Sequence, residues 1–341
     1  MTLVRTLPAL IALVFAATAS AQQTLVINSF GGDYEKTHRE LIITPFEKQN
    51  NVKVQVTTVY SADTVAQLRA QKERPQFDVV HLSGGLDATA AAEGLLQPIQ
   101  PGQLSNYKDL YPIAVQNLAS GRGPMYHIAV IGLLYSTDKL KPAPASWKDV
   151  FEPKLAKHLV WTDVSNQWGM LGFLMVNQVL GGTLDNVNPA LDAIKKTLPG
   201  ATIVSKSPEI QQAFAQSDAW LAPYAQDYAF TLRKAGLPVQ FIQPREGAPI
   251  APVTINLVKG RPNTELALKF IDYTLRPEVQ AGWANAMRYS PVNKQTKLGP
   301  EVAAEVTVGE AAMSKLVEID ANQLSARRAA ITEAWKRAIA K

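Results

Sequence analysis

Two short stretches carry the residue types best suited to grip a small molecule. Asn28-Ser29-Phe30-Gly31-Gly32 follows an apolar strand, Leu25 to Ile27, and enters a helix whose apolar positions (Tyr34, Leu41, Ile42, Phe46) recur at roughly helical spacing. Ser83-Gly84-Gly85 repeats the design between the buried strand Phe77 to Leu82 and the alanine-rich helix Leu86 to Glu93. Paired glycines accept positive φ and let a backbone approach a ligand closely. A helix N-terminus adds free N–H groups and a partial positive charge. This is the chemistry of capture. Turnover would need a catalytic set, and the sequence holds no cysteine, no G-x-S-x-G elbow and no phosphate-binding P-loop. His38, His81, His127 and His158 stand far apart, without the spaced partners of a metal site. No enzyme activity, catalytic residue, metal or cofactor is expected. His81 ends a buried strand beside the proposed cleft, where it either touches ligand or rests as an interior histidine. Tyr224 and Tyr228, four apart on one helix face, do not form the adjacent tyrosine pair that ferric-ion binding would need.

The elements around these loops alternate in the manner of an α/β fold. Val52 to Val59 alternates with period two, a half-buried strand, and Thr64 to Lys72 reads as a helix. Tyr126 to Tyr135 is an apolar strand long enough to leave one lobe and enter another, and Ile250 to Val258 can carry the chain back. Leu159 to Thr162 is a further strand, leading through Asp163-Val164-Ser165-Asn166-Gln167 into a helix from Trp168 to Leu180. Ala219 to Ala222 reads as a strand and Glu265 to Trp283 as one helix. In open α/β sheets, ligands gather at the carboxyl ends of strands, so the two glycine loops are expected to face one cleft.

The 341 residues are 47% hydrophobic and 18% charged, a globular balance that suggests two lobes. The formal charge of +5 is spread without blocks, which gives no support to nucleic-acid binding. Residues 1–21 read as a signal peptide: Arg5 supplies the positive start, Leu7 to Ala17 the short apolar run, and Ala19-Ser20-Ala21 a small-x-small cleavage site. Cleavage near Ala21 would release a protein beginning at Gln22. Without cysteine it can carry neither a disulfide nor a lipid anchor on that residue. The bacterial periplasm is the expected location.

The chain resembles periplasmic solute-binding proteins of ATP-driven importers, in the extracellular solute-binding family 1 group and its spermidine/putrescine-binding branch. The carrying segments are NSFGGDYEK, FDVVHLSGG…AAAEGLLQPI, IGLLYSTDKLKPAPASWKDVFEPKL, LVWTDVSNQWGM, KAGLPVQFIQPREG and ALKFIDYTLRPEVQAGWANAMRYSPVN, in family order over nearly all of Leu25 to Lys341. The resemblance implies a two-lobe periplasmic binding protein fold, type II-like, with crossing hinge strands and a ligand cleft between the lobes. On that expectation, residues 22–130 and 252–290 form lobe one, and residues 131–251 and 291–341 form lobe two. It further implies the substrate-binding component of an ABC importer, monomeric, with membrane permease subunits as partners.

By the same resemblance, polyamine members hold their amines with three carboxylates. Those positions fall here on Val164, Gln167 and Val253, so all three acids are missing, and the tryptophans of the aromatic box fall near Ala225 and Ala251. A buried ammonium needs a paired charge. What remains is rich in hydroxyls and glycine: Ser29, Phe30, Gly31, Gly32, Ser83, Gly84, Thr162, Ser165, Asn166, Gln167 and Thr254. Such loops suit a carboxylate, sulfonate or phosphate. Tyr60, Trp168, Tyr224 and Tyr289 either stack on the solute or pack in the core. Lys206 and Arg288 offer cations near the cleft, and Asp163 and Asp227 are the acids left to compensate for the missing three. The expected solute is a small anion or zwitterion, and the alternative is a polyamine.

Overall fold

Two long antiparallel strands carry the architecture. β4 (Met125–Ser136) is buried at every position, and β9 (Ala248–Leu257) runs against it from Met125↔Thr254 to Val130↔Ile250, with a register shift between Met125 and His127. Beyond Val130, β4 leaves β9 and pairs instead with β7 (Leu221–Ala225) and β8 (Val239–Ile242). On its other side β9 pairs antiparallel with β3 (Val79–Ser83), which lies beside β1 (Thr24–Ser29), and β1 pairs parallel with β2 (Lys53–Thr58). The sheet order is therefore β2-β1-β3-β9-β4-β7. β5 (Val160–Thr162) and β6 (Thr202–Val204) form a separate parallel pair. Gly132 is what lets β8 close on β4: a Cβ there would stand 2.4 Å from the Ile242 carbonyl oxygen. The computed structural model describes residues 22–197 and 200–340, so the expected signal peptide lies outside the described residues.

Each end of the β4–β9 pair enters its own apolar core. Leu25, Ile27, Phe46, Phe270 and Trp283 pack in the first core, and Trp147, Phe173, Leu174 and Trp335 in the second. A smaller cluster around Val65, Phe77 and Leu82 backs the far face of β3. The C-terminal segment 291–341, expected wholly in lobe two, is divided between the cores. Val292, Met313 and Leu316 join the first. Val292 is held there because its N–H donates to Gln280 Oε1 at 2.9 Å and its carbonyl accepts from Tyr111 N at 2.9 Å. After β10 (Leu316–Val317), which pairs with the start of β9, residues 318–320 lead into the helix Ala321–Ile339. That helix buries Leu324, Ile331 and Trp335 in the second core. Asp320 caps it by accepting from Gln323 N at 2.8 Å.

Three elements depart from expectation for local reasons. The helix after Gly32 runs as Gly32–His38 and Thr44–Asn50 around a π-helical turn, Arg39–Ile43. Pro45 has no N–H to give to Leu41, and the wider turn absorbs that loss. The single helix expected from Glu265 to Trp283 is two, Thr264–Thr274 and Pro277–Met287, since Pro277 forces Arg276 into an extended conformation with ψ 143°. The strand expected at Ala219 to Ala222 is displaced forward, taking in Pro223 and Tyr224; Pro223 is tolerated in β7, the last strand of the sheet path.

Candidate ligand cleft

The first glycine loop spends its polar residues on its own lobe. Asn28 is fully buried: its Nδ2 donates to Thr64 Oγ1 at 3.1 Å and to the His81 carbonyl at 3.0 Å, and its Oδ1 accepts from His81 N at 2.7 Å. Ser29 Oγ is 3.3 Å from His38 Nδ1, inside the lobe. Gly31, at φ 79°, is required by the turn, where a Cβ would stand 2.9 Å from Thr58 Cγ2, and Gly32 follows at φ 55°. Phe30 stacks on Tyr60 with centroids 6.3 Å apart and planes 6° from parallel. Tyr60 is 67% exposed, so this pair forms an aromatic lip and Tyr60 is not core. At the second loop, Ser83 N donates to Ser61 Oγ at 3.0 Å, and Gly84 and Gly85 adopt φ 66° and 79°. Thr254 is occupied too, its hydroxyl donating to the Leu82 carbonyl at 3.3 Å and accepting from Asn256 Nδ2 at 2.9 Å.

From the second lobe, Asn166 caps the helix Gln167–Val179 by accepting from Trp168 N at 2.9 Å. Gln167 opens that helix, and Trp168 rests half-buried against the second core. Asp163 is consumed locally: one oxygen accepts from Ser165 N at 2.8 Å and the other from Trp335 Nε1 at 2.8 Å. Burial raises its pKa, yet these hydrogen bonds outweigh it and leave the carboxyl below its ordinary range. Val164 is buried in the second core, and Thr162 is buried with no partner for its hydroxyl. Between the lobes lies a cavity of about 110 Å³ whose lining includes Gly84, Gly85, Gln167 and Arg328 together with two carboxylates, Asp87 and Glu318, which pair with Arg122 at 3.4 and 3.2 Å. Arg328 Nη2 donates to Gln167 Oε1 at 2.6 Å. Among the described residues no carboxylate pairs with this guanidinium, and burial draws its pKa down from the ordinary value. With the cavity's two carboxylates held by Arg122, the Arg328 guanidinium keeps donors free for a carboxylate or phosphate.

The model described as bacterial extracellular solute-binding protein matches residues 42–310. The chain belongs to that family. A solved ABC transporter structure from Clostridium perfringens ATCC 13124 shares its two-lobe fold at TM-score 0.80 and 23% identity, covering 93% of this chain and 100% of that one. The spermidine/putrescine-binding periplasmic protein of Escherichia coli (strain K12) is 27% identical over 281 residues, 78% of each chain. The gamma-aminobutyric acid-binding protein of Pseudomonas aeruginosa is 26% identical over 299 residues, 84% of this chain and 82% of that relative.

This solute-binding protein has a second group at the seam between its lobes. Tyr224 is buried, its hydroxyl 2.5 Å from Ser207 Oγ, and the Tyr228 hydroxyl donates to the Ser207 carbonyl at 2.6 Å. Both phenols are thus occupied within lobe two. Asp227, in the first turn of the helix Gln226–Lys234, keeps Oδ1 sealed from solvent and without a hydrogen-bond partner. Burial pushes its pKa up to about 6. Tyr289 approaches from the first lobe, stacked on His127 at 4.3 Å and 4°; its pKa is raised by burial and by the charge of Asp227.

Arg288 is not available to a ligand. It is buried, ion-paired to Glu305 and, at 3.7 Å, to Glu301, and its guanidinium lies over Phe230 at 4.0 Å. Lys206 is exposed at the start of the helix Ser207–Ala215. Three histidines that stand apart in the sequence meet in the first lobe: His38 and His81 are 4.7 Å apart, and Tyr126 bridges His81 at 5.2 Å to His127 at 4.3 Å. Among the described residues no group of three or more His, Cys, Asp or Glu is arranged to hold a metal ion. Arg328 escaped the sequence reading because it belongs to no loop motif. The one available hint was a doubled arginine on an amphipathic helix, in which Arg327 pairs outward with Asp185 at 2.6 Å.

Proposed function

We propose that this protein is the periplasmic solute-binding component of an ABC importer. It would capture a small organic solute bearing an acidic group and hand it to membrane permease subunits. Its family membership supports the binding role, and the names of its relatives support the importer and the compartment. The observation that carries the ligand chemistry is Arg328, set between the lobes with only a neutral amide as partner. A bound acid would gain charge-assisted hydrogen bonds of roughly 1.5–3 kcal/mol each. On this reading Gly84, Gln167 and Arg328 hold the acid, Phe30, Tyr60 and Tyr289 flank the body of the solute, and the chain is secreted by cleavage near Ala21. The polyamine reading has the relatives' names in its favour. Against it, Val164 and Val253 are buried among apolar residues where that branch places acids, and Arg328 would confront a like charge. Mass spectrometry of whatever co-purifies with the protein tests the proposal: an unaltered, stoichiometric acid is expected, whereas a polyamine would refute it.

A further inference from the structure

We infer that Arg122 sets the sign of charge the solute must carry, acting through Asp87 and Glu318 without touching the solute itself. This rests on the reading of Arg328 above and names the residue that leaves Arg328 free to act on an acid. The charged groups lining the interlobe cavity are one cation, Arg328, and two carboxylates, Asp87 and Glu318. Left to themselves, these would favour a cation. Arg122 reverses that preference: its Nη1 donates to Asp87 Oδ2 at 3.4 Å and to Glu318 Oε1 at 3.2 Å, and the four charges then balance. Arg122 itself lines a separate cavity of about 370 Å³, together with Ala88, Ala91, Gln116 and Ser120. Glu318 and Ala321 line both cavities, so this stretch forms the wall they share.

Local structure holds Arg122 in that place. Gly121 turns the chain at φ 76°, and Gly123 N donates to Asn256 Oδ1 at 2.7 Å. A Cβ on Gly123 would stand 1.8 Å from the Ile255 carbonyl oxygen, so the backbone beside Arg122 lies hard against β9. Neutral groups then pin the guanidinium, Nε donating to Ser120 Oγ at 2.9 Å and Nη2 to Asn117 Oδ1. Its carboxylate partners come from distant parts of the chain. Asp87 lies in the helix Leu86–Ala92, just after Gly84 and Gly85, and Glu318 lies between β10 and the final helix. Glu318 Oε2 also accepts from Gln116 Nε2 at 2.5 Å. The side chains of Asp87, Arg122 and Glu318 are only 5%, 17% and 18% exposed, so water screens them little. Burial raises the pKa of Asp87, and the charge of Arg122 is the largest influence opposing it. A buried pair stripped of one partner leaves an uncompensated charge. Without Arg122, the two carboxylates would repel an acid at Arg328 and receive an amine, since specificity is set by repulsion as well as attraction.

Titration calorimetry of the mature protein at pH 8, which favours ionised carboxyls, tests the assignment. The probes are two pairs of matched length, propionate with propylamine and succinate with putrescine. The wild type is expected to bind at least one acid and neither amine. Arg122→Gln should weaken that acid by roughly tenfold or more and bind the amine of its length at least tenfold tighter than the wild type does. Arg122→Lys should keep the wild-type order. Glu318→Gln, whose amide oxygen can still accept from Arg122, removes one carboxylate and should tighten the acid instead. Melting curves confirm which variants are folded. A merely structural arginine would weaken acid and amine alike, or neither. Either result in Arg122→Gln would overturn its role and leave Arg328 standing. If Arg122→Gln does not fold, Glu318→Gln decides alone, and an acid affinity that is unchanged or weaker would overturn the assignment. If the wild type binds no acid, the Arg328 reading itself fails, and this one with it.

Discussion

Gly85 and Ala321 meet across the lobes with no room for one more carbon: a Cβ on Gly85 would stand 1.9 Å from the Ala321 Cβ. Gly85 sits on the loop after β3, while the helix that Ala321 begins buries its apolar face in the second core. Their contact therefore marks how far the cleft is closed. Gly85→Ala is expected to hold the lobes apart and weaken solute binding by tenfold or more, with a larger radius of gyration by small-angle scattering at saturating ligand. Gly85 also has φ 79°, so alanine adds backbone strain of about 1 kcal/mol. Ala321→Gly in the same chain separates the two effects, since it relieves the clash and not the strain. Recovery of affinity in the double variant is the expected outcome.

Asp163 binds the loop of the second lobe to the final helix through Trp335. Asp163→Ala leaves the Trp335 N–H and the Ser165 N–H unpaired, and urea unfolding is expected to show a loss of about 1–3 kcal/mol. Solute affinity should change by less than threefold. A larger change would place Asp163 on the ligand.

Acid should destabilise the first lobe. His38, His81 and His127 are buried and carry pKa values below the ordinary 6.5, chiefly through desolvation, with His81 at about 4. The unfolded chain therefore takes up protons first, so the folded state is favoured above pH 6.5 and loses stability as pH falls towards 4. His81 alone accounts for on the order of 3 kcal/mol of that loss. Melting temperature followed from pH 7 to pH 4 should drop steadily, and His81→Gln should flatten part of the slope. A flat profile in the wild type would mean that these rings are already protonated in the fold.

Much of the strand sequence was legible because β-strand spacing is a local signal: β2, β3, β4 and β9 were each expected within a few residues of where they lie. The glycine loops were legible for the same reason, since Gly31, Gly84 and Gly85 all adopt the positive φ that their type permits. What escaped depends on partners distant in sequence. Ser29 and Thr254 read as free hydroxyls until His38 and Leu82 are seen to occupy them. Arg288 read as a spare cation until Glu305 is brought beside it. The three histidines are brought together by β3 and β4, which flank β9, and by the helix after Gly31, a proximity with no local pattern to announce it. Arg328 reaches the cleft because the chain makes a third passage between the cores at residues 318–320.

The central claim is that Arg328 selects an acidic solute, and titration calorimetry of the wild type and Arg328→Gln tests it most directly. The panel is a set of short carboxylates and amino acids alongside spermidine and putrescine. The wild type should bind at least one acid-bearing compound at micromolar concentration or tighter and neither polyamine. Arg328→Gln should weaken the acid by tenfold or more, the loss of one charge-assisted hydrogen bond of roughly 1.5–3 kcal/mol. Tight spermidine binding that Arg328→Gln leaves unchanged or strengthens would contradict the account.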